Sequence, residues 1–185
     1  CNASSSMLIG TMTVHFIISL KDQGIPIQAG AWIWGATMLF SGAAQIFGGW
    51  LGDRVPKNVA LCVFGLLQAI GVIFATFLTD IYLAPIFIVI FGLGFGARIP
   101  LGTAIRGEYF GRRAFGKVLG ISMVPTSAAM FAAPIFAGWL ADIRGDYKMP
   151  FIILSVITGF GALPFFFASK PIPKQIAKYS SKNPE

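Results

Sequence analysis

Charge is scarce in this sequence. Asp, Glu, Lys and Arg make up 11% of its 185 residues, against about 25% in soluble domains. Cysteine and histidine are scarcer still, at two and one. Cys1 and Cys62 match no zinc, haem or CxxC spacing, which argues against a thiolate metal centre or redox pair, and both read as structural thiols. His15 alone does not make up a metal site. Neither does it have a G-x-S-x-G elbow to serve, so a serine hydrolase, including an intramembrane one, is disfavoured. No metal and no cofactor are therefore expected. The seven acidic residues all fall outside the long apolar runs, which leaves those runs without a carboxylate for acid–base or ion-coupling chemistry.

What the chain does have is apolar length. Hydrophobic residues make up 56% of it, and 29–51, 59–78, 118–140 and 149–168 contain no charged residue. A bilayer-crossing helix takes about 20 apolar residues. The run 81–105 is as long but holds Arg98, and 1–20 holds only His15. The expectation is an all-α membrane protein with six spanning helices over these ranges and a basic tail, 170–185. The runs are apolar all round rather than on one face, unlike helices of a soluble core. They do not alternate as barrel strands do.

Net charge of +7 raises the question of nucleic acid, and its placement answers it. Arg54, Lys57, Arg106, Arg112, Arg113, Lys117, Lys170, Lys174, Lys178 and Lys182 fall on alternate connectors and the tail, hence on one side. Lys21, Arg144 and Lys148 fall on the other, a split of ten to three. Basic residues are retained in the cytoplasm on insertion, so the richer side and both chain ends are expected there, and nucleic acid is not expected as a partner. The chain opens at the edge of an apolar run without an initiating Met or a signal peptide, which suggests the C-terminal part of something longer.

Gly49–Asp53 reads GWLGD and Gly138–Asp142 reads GWLAD. Each ends the second helix of a triplet, and a three-helix repeat must emerge inverted, so two inverted three-helix repeats are expected. The longer stretch GGWLGDRVPKN resembles motif A, G-x-L-x-D-R-x-G-R-K, of the major facilitator superfamily, with Gly49, Leu51, Asp53, Arg54 and Lys57 in place. Pro56 and Asn58 depart from that pattern. FGLGFGARIPLGTAIRGEYFGRRAFGKVLG (91–120) and GWLADIRGDY are similar to the second half of such transporters. The resemblance covers essentially the whole chain. It implies helices seven to twelve of a twelve-helix fold, a missing N-terminal six-helix half as partner, and a motif A cluster that latches the cytoplasmic side.

Gly48 and Gly49 are expected to permit close helix approach. Asp53, at the end of its span, is the candidate gate residue, able to accept hydrogen bonds from a helix N-terminus. Arg98 is the costly residue, about 2.5 to 3.5 kcal/mol at a span centre on insertion scales, so it is expected to face a cavity, an ion-pair partner or, by snorkelling, the interface. Counting at 1.5 Å per residue puts Gln45 and Thr126 at a similar depth, about 9 to 12 Å from the inner end. The resemblance implies that their helices border the cavity. Gln45, Arg98 and Thr126 are therefore expected as one polar substrate-binding layer. His15, nearer the outer end, is a candidate polar wall residue or proton carrier. GLGFGA (92–97) fits a dinucleotide pattern but lies inside an apolar span, where Gly92 and Gly96 make a packing face and Pro100 a kink.

The resulting expectation is a secondary active transporter of a small solute by alternating access, in a plasma or inner membrane. EYFGRRAFGK (108–117) is similar to the monocarboxylate and oxalate/formate branch, and Arg98 suits an organic anion. Drugs and sugars stay open as substrates, and a channel lacks a filter sequence.

Overall fold

The computed structural model describes residues 2–167, the side chains of 111–114 excepted. Cys1 and the basic tail 170–185 lie outside the described residues, as do the side chains of Arg112 and Arg113. Six α-helices follow one another: α1 (Asn2–Asp22), α2 (Ile27–Gly52), α3 (Lys57–Thr76), α4 (Ala84–Gly96), α5 (Arg98–Arg144) and α6 (Lys148–Ala162). No strand occurs among the described residues. Pro26 and Pro56 stand at the N-caps of α2 and α3, where a missing N–H removes no helical hydrogen bond. Gly145 closes α5 in the left-handed region, φ 80°, a conformation that glycine adopts without a Cβ penalty.

Among the described residues, five helical segments are long and apolar enough to cross a membrane: Asn2–Asp22, Lys57–Thr76, Ile81–Phe110, Phe115–Arg144 and Lys148–Phe165. The sixth expected run, 29–51, does form α2 but is not among them. Its six glycines, three tryptophans and Gln45 dilute the aliphatic residues and lower its mean hydropathy.

The connector expected between 105 and 118 is helical, and α5 is assigned without a break over 47 residues. A straight helix of that length would reach about 70 Å, and would separate Arg98 from Thr126 by about 42 Å. Yet both line one cavity of about 230 Å³. The helix must therefore reverse between the two runs that border this cavity, 98–106 and 119–126. That gives α5 two arms, one finishing the span begun by α4 and the other forming the next. Between α4 and α5 the break at Ala97 follows from Pro100, which offers no N–H to the Gly96 carbonyl.

Small residues let α4 sit between α2 and α3. Thr37, Ser41, Ala44, Gly48 and Gly52 form the buried stripe of α2. A Cβ at Gly96 would overlap the Ser41 carbonyl oxygen, and one at Gly48 would overlap Ala97. On the opposite face, a Cβ at Gly94 would lie 2.5 Å from the Gln68 backbone nitrogen. Gly92 and Gly96 thus form the packing face that the sequence predicts. Gly49 does not share in the close approach, since a Cβ there would meet nothing within 4 Å; its neighbour Gly48 makes the contact. The Thr37 and Ser41 hydroxyls donate to the Ile33 and Thr37 carbonyls at 2.7 and 2.8 Å, so they enter the interface without an orphan donor.

The outer arm of α5 repeats the burial register of α2. Ala133, Ala137 and Ala141 are buried, as are Ala44, Gly48 and Gly52. Phe136 and Trp139 pair at 6.3 Å where Phe47 and Trp50 pair at 5.9 Å. Here α1 is the neighbour. Gly10 presses against the Met130 carbonyl, which Pro134 deprives of its helical donor. At the end of the bundle away from the cavity, Phe16, Trp34, Phe87 and Phe91 stack with centroids 4.8 to 5.9 Å apart, which anchors α1, α2 and α4 on one aromatic cluster.

Candidate functional site

The 230 Å³ cavity lies where the start of α1 meets the end of α4 and both arms of α5. Asn2, Ser5, Arg98, Arg106, Ser122 and Thr126 bring polar groups to a largely apolar lining, and among the described residues no Asp or Glu borders it. Arg98 opens α5 beside the Pro100 break and is 6% exposed. Its Nη1 donates to Gln68 Oε1 at 3.2 Å. Gln68, on α3, has no exposed surface. Its Oε1 also accepts from the Ser5 hydroxyl, and its Nε2 donates to the Ser5 carbonyl at 3.4 Å. Phe165 flanks the guanidinium, with its ring centre 5.8 Å from the guanidinium carbon. Arg98 is thereby held from the α3 side, and the residue borders the cavity. Arg106 follows two helical turns later on the same face, about 12 Å along the axis, and borders the same space.

Of the residues expected from sequence, Thr126 borders this cavity, its hydroxyl donating to the Ser122 carbonyl at 2.7 Å. Gln45 is exposed on α2 and does not line it. His15 sits on another part of α1, against the outer arm of α5. Its Nε2 lies 3.0 Å from the Pro134 carbonyl oxygen, and since a carbonyl can only accept, Nε2 carries the hydrogen. Nδ1 is then an acceptor, buried without a hydrogen-bond partner among the described residues. The ring lies 5.0 Å from Tyr147. Burial, together with Asp142 and Asp22, raises the Tyr147 phenol above its ordinary range.

At the α2–α3 turn, Asp53 is the C-cap of α2 and is exposed. It forms no ion pair among the described residues. Arg54 lies 3.9 Å over the Trp50 ring, and Leu51 packs against the inner core cluster. Lys57 makes the tertiary link, with its Nζ 2.6 Å from Glu108 on the first arm of α5.

Sequence reasoning missed Arg106 as a cavity residue, having read it as a topology charge. The i, i+4, i+8 spacing of Arg98, Gly102 and Arg106 is a signal for one shared face. Gln68 was equally missed, although it is the one amide within the apolar run 59–78.

A family model described as Major Facilitator Superfamily matches residues 1–184. The chain is 28% identical over 172 residues to Monocarboxylate transporter 13 of Bos taurus, covering 87% of this chain and 40% of that protein. It is 26% identical over 183 residues to the uncharacterized MFS-type transporter YuxJ of Bacillus subtilis, covering 98% and 45%. It is 27% identical over 126 residues to a Multidrug resistance protein B homolog of Mycobacterium tuberculosis, covering 68% and 23%. The chain thus spans less than half the length of these relatives.

Proposed function

The chain belongs to the major facilitator superfamily, and from that premise we propose that it supplies a six-span unit of a secondary transporter carrying a small organic anion by alternating access. Members of this family are integral, multi-pass membrane proteins. The observation that carries the anion reading is the pairing of Arg98 and Arg106 on one cavity with hydroxyl groups and, among the described residues, no carboxylate. An Arg within a span costs insertion energy, and a planar guanidinium binds a carboxylate through two parallel hydrogen bonds. The relatives named monocarboxylate transporters favour a monocarboxylate. A drug substrate has a named relative too, but the two arginines and a volume of about 230 Å³, below the roughly 300 to 1,000 Å³ of drug-sized sites, favour the smaller anion. The test is uptake into proteoliposomes of a labelled carboxylate and its neutral amide, using protein from the complete coding sequence. Saturable uptake of the acid, at least tenfold above the amide, is expected. Equal uptake of both would overturn the anion assignment.

The inverted-repeat reading is supported by the shared burial register of α2 and the outer arm of α5. It is supported further by the exchange of partners, α1 packing on that arm as α4 packs on α2, with α3 against α6. In this arrangement the end bearing Lys57, Arg106 and Glu108 faces the cytoplasm, as the distribution of basic residues favours. A second six-helix unit completes the translocation path, in keeping with the greater length of the relatives.

The Lys57–Glu108 pair then acts as a latch between the start of α3 and the first arm of α5, adjoining the exposed Asp53 turn. A partly exposed pair contributes about 0 to 1 kcal/mol, enough to shift a near-balanced equilibrium several-fold. Lys57→Glu and Glu108→Lys singly are expected to change the inward/outward ratio a few-fold, and the double exchange to restore it. A double variant no closer to wild type than either single would remove the latch. An unchanged ratio in Asp53→Asn would take Asp53 out of the gate.

A further inference from the structure

We propose that the transported anion carries an aromatic or branched aliphatic body, seated in a second pocket that opens off the arginine-lined cavity. The inference rests on the anion reading and adds to it a binding place for the rest of the substrate.

The second pocket holds about 190 Å³ and is lined by Ile105, Arg106, Tyr109, Phe110 and Phe165, with Gly102 and Asn2 at its edge. Asn2, Gly102 and Arg106 border both spaces, so the two adjoin. Little divides them at Gly102. A Cβ built there would meet nothing nearer than Asn2 Oδ1, at 4.0 Å. Arg106 suits the boundary chemically, because its methylene stem covers apolar surface while its guanidinium stays with polar groups. Phe165 lines the second pocket and stands 5.8 Å from the Arg98 guanidinium carbon.

The size limits the occupant. An apolar cavity of about 150 Å³ admits benzene, so the second pocket accommodates a phenyl ring or a branched chain but not a drug-sized body. A carboxylate held between Arg98 and Arg106 would then point its ring at Tyr109 and Phe165, where aromatic faces give offset or edge contacts. An acid as small as acetate has no body to place in the second pocket.

The test is competition with uptake of a labelled carboxylate by the reconstituted full-length transporter, using acetate, phenylacetate and phenylacetamide. Phenylacetate is expected to inhibit at least tenfold more tightly than acetate. Gly102→Val narrows the passage and is expected to bring the phenylacetate-to-acetate ratio to about one. Equal inhibition by the two acids in wild type, or a ratio that survives Gly102→Val, overturns the two-compartment site. Should Gly102→Val fail to reach the membrane, Phe165→Ala puts the same ratio to the test, narrowing it if the ring binds there and leaving it unchanged if it does not. Phenylacetamide separates the two levels of the argument. If it inhibits as well as phenylacetate, the anion reading fails; if the acids compete and the ring adds nothing, only this inference does.

Discussion

Arg98→Gln is expected to lower the apparent affinity for an anionic substrate by roughly 10- to 100-fold, with the fold retained. The size follows from losing charge-assisted hydrogen bonds, worth about 1.5 to 3 kcal/mol, at about 1.4 kcal/mol per tenfold. Retention of the fold follows from the neighbours. Gln68 loses Arg98 as a donor but keeps the Ser5 hydroxyl, so its Oε1 is not left bare. Arg98→Lys is expected to recover only part of the loss, because an ammonium keeps the charge but not the planar fork. The measurement is KM and maximal rate for a carboxylate in proteoliposomes, beside thermal unfolding of the purified variants in detergent. A KM within twofold of wild type in Arg98→Gln would remove Arg98 from the binding site.

The contrast between Gln45 and Gln68 shows what the sequence could and could not reveal. Depth along a span is legible, because residues advance at a fixed rise from a recognisable end. Rotation about the axis is not, because a run apolar on all sides gives no polar face to orient it. Gln45 has the depth expected of a cavity residue yet is exposed on α2. Gln68 is turned fully inward, against Arg98. Rotation is decided instead by where small residues let helices touch. The Gly92 and Gly96 face was legible for that reason, while the Gly94 contact that brings α3 and Gln68 inward was not picked out.

The cavity itself depends on a tertiary event. Ser122 and Thr126 share a cavity with Arg98 only because α5 reverses. Apolar run lengths implied two spans there, but not which side chains would meet across them. Arg106 was hidden by a different ambiguity, since a basic residue near the inner end of a span satisfies the topology rule whether or not it also faces a cavity.

Gln68 is the second residue on which transport should hang, as a positioning residue for Arg98. Gln68→Glu keeps the shape of the side chain and places a carboxylate where Oε1 now accepts from Arg98 at 3.2 Å. Unit charges near 4 Å attract by about 4 kcal/mol at an effective dielectric of 20. The introduced anion therefore competes directly with the substrate for the guanidinium, and uptake is expected to fall at least about tenfold. The loss carries a signature that a packing defect lacks. A carboxyl group stops competing once it is protonated, and because pairing with Arg98 favours its charged form, the variant-to-wild-type uptake ratio should rise only at the acid end of a symmetric-pH series. A sulfonate serves as the labelled probe, since its own charge stays fixed over that range. Gln68→Leu removes the acceptor without adding charge, and its ratio should stay level with pH. If Gln68→Glu and Gln68→Leu lose uptake alike, with no recovery of the former in acid, Gln68 merely fills space between α1, α3 and α5. If the acid-sensitive recovery is seen, position 68 acts on transport through the Arg98 guanidinium.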